Sequence, residues 1–234
     1  GGAREREIRV VKLPRKGSLL REIPILVVVS LVISIIIKAF LIQAFYIPSG
    51  SMQTTLEIND RVIVNKLGNF FSDVKRGDVV VFRDPGGWLP PAYQEEQSAP
   101  LRAIRNGLVF VGLAPDPAKQ HLIKRVIGVA GDRIVCCDKA GALIINGKSV
   151  KENYIYKGNK PSELEFDVTV PKGHIWAMGD HRGASEDSRF HQDDATKGMV
   201  PLDKVVGRAF LIIWPVRHFT LLPRPEALTA LPVK

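Results

Sequence analysis

The chain has 234 residues, 45% of them hydrophobic, with 33 Lys and Arg against 24 Asp and Glu for a net charge of +9. That length supports one sizeable core with a subdomain, and the basic balance suits either nucleic acid or an anionic membrane surface. The sequence has no zinc-finger spacing and no basic patch interleaved with aromatics, which speaks against nucleic acid, and no His or Cys cluster has ligand spacing, so neither metal nor cofactor is expected.

Residues 1–22 form a basic tail with seven Lys and Arg. The run from Pro24 to Phe45, PILVVVSLVISIIIKAFLIQAF, then carries a single charge, Lys38. As a helix it spans roughly 33 Å, and a hydrocarbon core is about 30 Å thick. The pattern predicts one transmembrane helix over 23–46, and the basic tail places the N-terminus on the cytoplasmic side. Lys38, in the outer third, is within snorkelling reach of the far interface. The alternative is a cleavable signal peptide, but the run is long for an h-region and no clear small-x-small site closes it.

Past Phe45 the pattern changes to short apolar runs broken by Gly, Asp, Asn and Pro. Residues 61–65 and 78–82 are rich in β-branched side chains and predict strands. An insertion over 84–118 interrupts them with Pro, Gly and a polar patch, Gln94-Glu95-Glu96-Gln97. Within it, 101–113 is apolar enough for a short helix. Strand patterns resume at 121–129 and 132–135. Residues 143–145, Asn146-Gly147 and 148–150 then read as a hairpin with a type I′ turn. Further strands are expected at 166–170, 174–178 and 204–213, before a Pro-rich tail over 217–234 that trails along the surface. The series predicts a mainly β, largely antiparallel domain over 47–216, with a smaller β subdomain over 133–170. Cys136 and Cys137, side by side, are read as free thiols; the alternative is a vicinal disulfide in an oxidising compartment.

Three stretches concentrate groups capable of chemistry. Ser49 and Ser51 flank Gly50 a few residues beyond the apolar run, where membrane gives way to water. Lys124 shares a strand face with Leu122 and Val126. A lysine so placed is either a snorkelling surface residue or a desolvated amine with a depressed pKa. The run GDHRGASEDSR over 179–189 follows an apolar strand; a plain loop is its default reading, with His181 a candidate general base. Spacing alone selects no histidine for a Ser-His-Asp triad over His121, His174, His191 or His218.

Taken together, these stretches resemble the bacterial type I signal peptidases, membrane-anchored serine proteases that remove signal peptides from exported proteins. Pro48-Ser49-Gly50-Ser51-Met52 with Thr55-Leu56 is similar to the family's nucleophile motif. Lys124-Arg125-Val126-Ile127-Gly128 with Gly131-Asp132 is similar to its general-base motif. Gly179-Asp180-His181-Arg182 with Ser185, Asp187, Ser188 and Arg189 is similar to its third motif, and 76–82 adds a weaker match. The motifs occur in the family's order behind the apolar run, and the resemblance covers roughly 24 to 214. Gln53-Thr54, Ala130 and His181 depart from residues frequent in the family.

The resemblance implies Ser51 as nucleophile and Lys124 as general base, with Ser49 an oxyanion donor and Ser185 the serine that orients the lysine. It implies that Ile47, Met52, Leu56 and Ile123 line shallow apolar pockets suited to Ala-x-Ala substrates. Asp180, Asp187, Arg189 and Arg125 are read as a structural ion-pair set, and His181 as scaffold. The implied partners are signal-peptide-bearing preproteins and membrane phospholipid. The implied location is the bacterial cytoplasmic membrane, single-pass, with the catalytic domain outside. Three competing readings are a non-catalytic, membrane-anchored peptide-binding module; a self-cleaving repressor of the SOS type, which shares Ser/Lys chemistry but brings a DNA-binding helix-turn-helix where this chain has an apolar span; and a processing peptidase for pilins or lipoproteins, a class that usually needs several spans and paired aspartates.

Overall fold

Runs of Val, Ile and Phe set the architecture, because β-branched and aromatic side chains fit a pleated, half-buried surface. The structure, a computed structural model, describes residues 16–36, 41–66, 74–90 and 121–231. Helix α1 (Lys16–Ile36) comes first, then β1 (Ile42–Tyr46), β2 (Arg61–Asn65), β3 (Val79–Arg83) and β4 (His121–Val129). Next are β5 (Arg133–Cys136), β6 (Leu143–Ile145), β7 (Lys148–Val150) and β8 (Phe166–Thr169). The series closes with β9 (His174–Met178), β10 (Val200–Pro201), β11 (Val205–Trp214), β12 (Thr220–Leu221) and a short helix, α2 (Glu226–Thr229).

The strands form two antiparallel sheets, as the sequence pattern leads one to expect. The larger runs β1-β2-β11-β3-β4-β9-β10, with β12 beside β11; the smaller runs β7-β6-β5-β8. Asn146 and Gly147 join β6 to β7 with φ of 51° and 78°. Positive φ at both central residues is what a type I′ turn requires, and Asn-Gly tolerates it best.

Among the described residues, three apolar clusters fill the interior. One unites the smaller sheet with Trp176 and Met178. A second gathers Ile47, Met52, Leu56 and Ile123 with β2, β3 and β11 side chains. A third holds Val80, Phe82, Leu122 and Val126.

Three expectations are corrected. The helix predicted to run to residue 46 does not do so, because Ile42–Tyr46 pair with β2 in register from Ile42↔Asn65 to Tyr46↔Arg61. The β2 edge offers backbone partners there that a helix leaves unused. Among the described residues no helix is long and apolar enough to cross a membrane. Second, the segment after Trp214 is docked, not trailing: Leu222 and Leu228 are buried, and Arg224 Nε donates to Asp78 Oδ1 at 2.6 Å. Third, Cys136 and Cys137 are joined in a disulfide. They sit where β5 ends, so strand alternation no longer sends the two side chains to opposite faces. Lys38, the helix expected over 101–113 and most of the 84–118 insertion lie outside the described residues.

Candidate active site

The turn between β1 and β2 is pinned at its base. Ile47 N–H donates to the Asp60 carbonyl and Asn59 N–H to the Ile47 carbonyl, both at 2.9 Å. Inside it, Leu56 N–H donates to the Met52 carbonyl at 2.8 Å, winding one helical turn immediately after Ser51. Met52 and Leu56 are wholly buried, so this turn is anchored from beneath by apolar packing. Ile47, Met52, Leu56 and Ile123 do converge, as a floor under Ser51, and Ile123, at 9%, is the least buried of them.

Strand β4 brings Lys124 to this turn across 73 positions of sequence. Lys124 Nζ donates to Ser51 Oγ at 2.7 Å, and the two residues are 5% and 6% exposed. Burial draws the Lys124 amine down to about 8; the Asp187 carboxylate opposes that shift, and the Arg189 guanidinium assists it. A lysine in this setting supplies a neutral amine at mildly alkaline pH, which a solvent-exposed lysine does not. Ser49 is exposed, with its Oγ 3.4 Å from Ser51 Oγ.

The loop after β9 closes the site. Ser185, buried, donates through Oγ to Asp187 Oδ2 at 2.7 Å, so among the described residues its hydrogen bond goes to the carboxylate and not to Lys124. Asp187 also accepts from Gly179 N–H at 2.9 Å and from Arg189 Nε at 2.8 Å. Burial works to raise the Asp187 carboxyl, but the Arg189 hydrogen bonds and charge outweigh it and hold the group below its ordinary range. Asp180 takes Arg125 bidentately, Nε to Oδ1 at 2.8 Å and Nη2 to Oδ2 at 2.6 Å. Thr55 Oγ1 donates to the same Asp180 Oδ2 at 2.5 Å, which ties the serine turn to this loop. All four residues of the expected ion-pair set are therefore buried and paired around Ser51 and Lys124.

Sequence reading missed a second set. Arg182 Nη1 donates to Glu152 Oε2 at 2.8 Å and Nη2 to Oε1 at 2.6 Å, with Tyr154 hydroxyl donating to the same carboxylate. Arg125 lies 4.9 Å over the Tyr154 ring, so this set buttresses the third loop from the side of the 152–159 segment. Burial, then the Glu152 charge, push the Tyr154 hydroxyl far above its ordinary range, keeping it a donor. No periodicity or spacing marks Glu152 and Tyr154 in advance.

A serine hydroxyl against a shielded, partly neutral amine, on an antiparallel β scaffold, defines the class of hydrolases that act through a nucleophilic serine. The sequence matches the family Signal peptidase, peptidase S26, over residues 20–214. Signal peptidase I of Mycobacterium tuberculosis is 38% identical over 223 residues, covering 86% of this chain and 75% of that one. Probable signal peptidase I of Mycobacterium leprae is 36% identical over 233 residues, covering 88% and 80%. Signal peptidase I of Leptolyngbya laminosa is 33% identical over 199 residues, covering 85% and 81%. A crystal structure of a signal peptidase I from Enterococcus faecalis overlays 58% of this chain and 96% of that one, at 23% identity and a TM-score of 0.36. The chain belongs to the signal peptidase S26 family and is a serine endopeptidase.

Proposed function

We propose that this peptidase removes N-terminal signal peptides from exported preproteins, with Ser51 as nucleophile and Lys124 as general base. The observation that carries the reading is the 2.7 Å contact between Lys124 Nζ and Ser51 Oγ in a water-shielded site. The neutral amine takes the hydroxyl proton as Ser51 Oγ attacks the scissile carbonyl. The ammonium so formed gives that proton to the departing amine, leaving an acyl-enzyme ester. Water, deprotonated by the same amine, then releases the acid and restores the serine. The Ser51 backbone N–H and the Ser49 hydroxyl are the donors for the oxyanion. Asp187, through Ser185 and by its charge, steadies the Lys124 side of the site.

Substrates are cut after Ala-x-Ala, the small residues fitting a shallow surface whose floor is Ile47, Met52, Leu56 and Ile123. The N-terminal apolar run, of which helix α1 is the described part, is the anchor. From Ile23 to Ile33 its large apolar side chains are exposed on every face, and a helix apolar all round needs either a core or lipid to cover it. The exposed Trp214, Val216, Phe219 and Leu221, with Tyr46, offer a second contact for phospholipid at one end of the larger sheet. The basic tail keeps the N-terminus in the cytoplasm, and the catalytic domain faces outward, where a translocated signal peptide presents its cleavage site.

The deciding experiment incubates the detergent-solubilised protein with a secretory preprotein and reads the product N-terminus by mass spectrometry. A single cut after the small residue, absent in Ser51→Ala and in Lys124→Ala, is the expected result. Cleavage that survives Lys124→Ala would sink the dyad, and a folded protein that binds the preprotein without cutting it would favour the peptide-binding module. Alkaline extraction and external proteolysis of membranes containing the protein test the anchor and its orientation.

A further inference from the structure

His181 belongs to the third loop, yet the dyad makes no use of it. Its backbone N–H donates to the Ser51 carbonyl at 3.1 Å. Its ring Nδ1 lies 3.1 Å from Gln53 Oε1. A carboxamide oxygen can only accept, so Nδ1 carries the proton and donates. Gln53 passes the connection on, its Nε2 donating to Glu57 Oε2 at 3.1 Å. On the other side the imidazole stacks on Tyr156, centroids 3.9 Å apart and planes 13° from parallel. Tyr156 N–H in turn donates to the Asp180 carbonyl at 2.9 Å.

These contacts grip the serine turn at alternate positions. Ser51 is held by the His181 N–H, Gln53 by the His181 ring, and Thr55 by Asp180. The Gln53 side chain also folds back over Gly50, where a methyl group would meet Oε1 at 2.8 Å. The residue preceding Ser51 is thereby covered by a side chain whose direction His181 sets.

We infer that His181 is a positioning residue: acting through Gln53, it fixes the turn that carries Ser51 at hydrogen-bonding distance from Lys124. The inference rests on the reading of Ser51 as nucleophile. A role for His181 as base is disfavoured by geometry, because its Nδ1 is committed to Gln53 and the group in contact with Ser51 Oγ is Lys124. What the position needs is one N–H aimed at Gln53. Asparagine can supply that donor and alanine cannot.

The test measures kcat, KM and the pH profile of preprotein cleavage for wild type, Ser51→Ala, His181→Ala, His181→Asn, Gln53→Ala and the double variant His181→Ala/Gln53→Ala. A small displacement of a reacting group typically costs up to about a hundredfold in rate. His181→Ala is therefore expected to lose about ten- to a hundredfold in kcat with KM unchanged. Gln53→Ala should lose a similar factor, and the double variant should be no worse than the worse single one, as befits two residues acting in series. His181→Asn should recover most of the rate, and the acid limb of the profile should stay in place throughout. Wild-type kcat in His181→Ala, additive losses in the double variant, no recovery in His181→Asn, or an acid limb that moves with His181 would each overturn the inference. Cleavage by Ser51→Ala would instead defeat the underlying assignment of the nucleophile, so the two failures are distinguishable.

Discussion

Lys124 and Arg125 are neighbours on β4, and the structure gives them opposite electrostatic settings. Arg125 is clasped by both oxygens of Asp180, whereas the hydrogen-bond partner of the Lys124 amine is a hydroxyl, Ser51 Oγ. Both are buried, at 2% and 5% exposure. A buried amine with no carboxylate in contact is pushed toward neutrality. One strand thus carries a carboxylate-paired cation and, beside it, an amine drawn toward neutrality, as the proposed general base requires.

The pH dependence follows directly. Burial draws the Lys124 amine to about 8, so below that value the proposed base is increasingly protonated. The rate constant kcat/KM should fall about tenfold per pH unit on the acid side of that limb. The same shift has a stability consequence. The unfolded chain binds more protons than the native one between about 8 and the ordinary 10.5. The cost of burying the ammonium is therefore complete below about 8 and relieved as pH rises toward 10.5. Lys124→Met, though inactive, should be more stable than wild type at neutral or lower pH by about 3 kcal/mol, with the gap closing in alkali. Urea denaturation at two pH values checks this; equal midpoints in wild type and variant at low pH would contradict a buried ammonium.

Much of this site was legible in the sequence because each part carries its own local signal. The Val-rich runs at β3 and β4 declare strands, and Asn146-Gly147 declares its turn. Lys124, Ser51 and the 179–189 loop are marked by the family's motifs. The end of the N-terminal helix was not legible, because Ile42 to Tyr46 are as apolar as the helix before them. Only pairing with β2, made residues later, turns them into a strand. Leu222 and Leu228 stand isolated among prolines, and their burial is a tertiary fact. The His181–Gln53 contact spans 128 positions; His181 reads as a candidate base or as scaffold, and nothing local pairs it with Gln53.

The Asp180 cluster predicts a graded pair of losses. Asp180→Asn leaves Arg125 charged and buried without its counter-ion, which typically costs about 3–5 kcal/mol. Thr55→Val removes only a hydroxyl from the same cluster and should cost about 1–3 kcal/mol. Denaturant midpoints for the two variants should fall in that order. A near-neutral Asp180→Asn would mean that the pair is hydrated and contributes little.

The C-terminal segment offers a contrast between packing and charge. Leu228 is wholly buried in the cluster beneath the smaller sheet, and Leu228→Ala should cost about 2–5 kcal/mol. Arg224 binds Asp78, but Arg208 Nε also lies 2.9 Å from the same carboxylate. Arg224 is itself partly exposed, so Arg224→Ala should cost about 1 kcal/mol or less. Thermal unfolding of the two variants measures the difference. Equal, small effects would show that the segment is not held by its apolar contacts.

Gly179 and Gly183, four residues apart on the same loop, make the sharpest steric comparison. At Gly179 an added methyl would lie 2.2 Å from Ser185 Oγ and 2.4 Å from the Ser51 carbonyl oxygen. The second of these is backbone within the serine turn, so relief requires moving Ser51 itself. Gly179→Ala is therefore expected to lower kcat by about a hundredfold and to destabilise the fold by about 1–3 kcal/mol. At Gly183 the nearest atom to an added methyl is the Asn159 side-chain nitrogen at 3.5 Å, an ordinary contact, so Gly183→Ala should behave as wild type. The pair separates two explanations of lost activity in this loop. If both variants fail alike, the loop is intolerant of any side chain; if Gly179→Ala fails alone, the loss comes from crowding of Ser185 and of the Ser51 carbonyl at that one position.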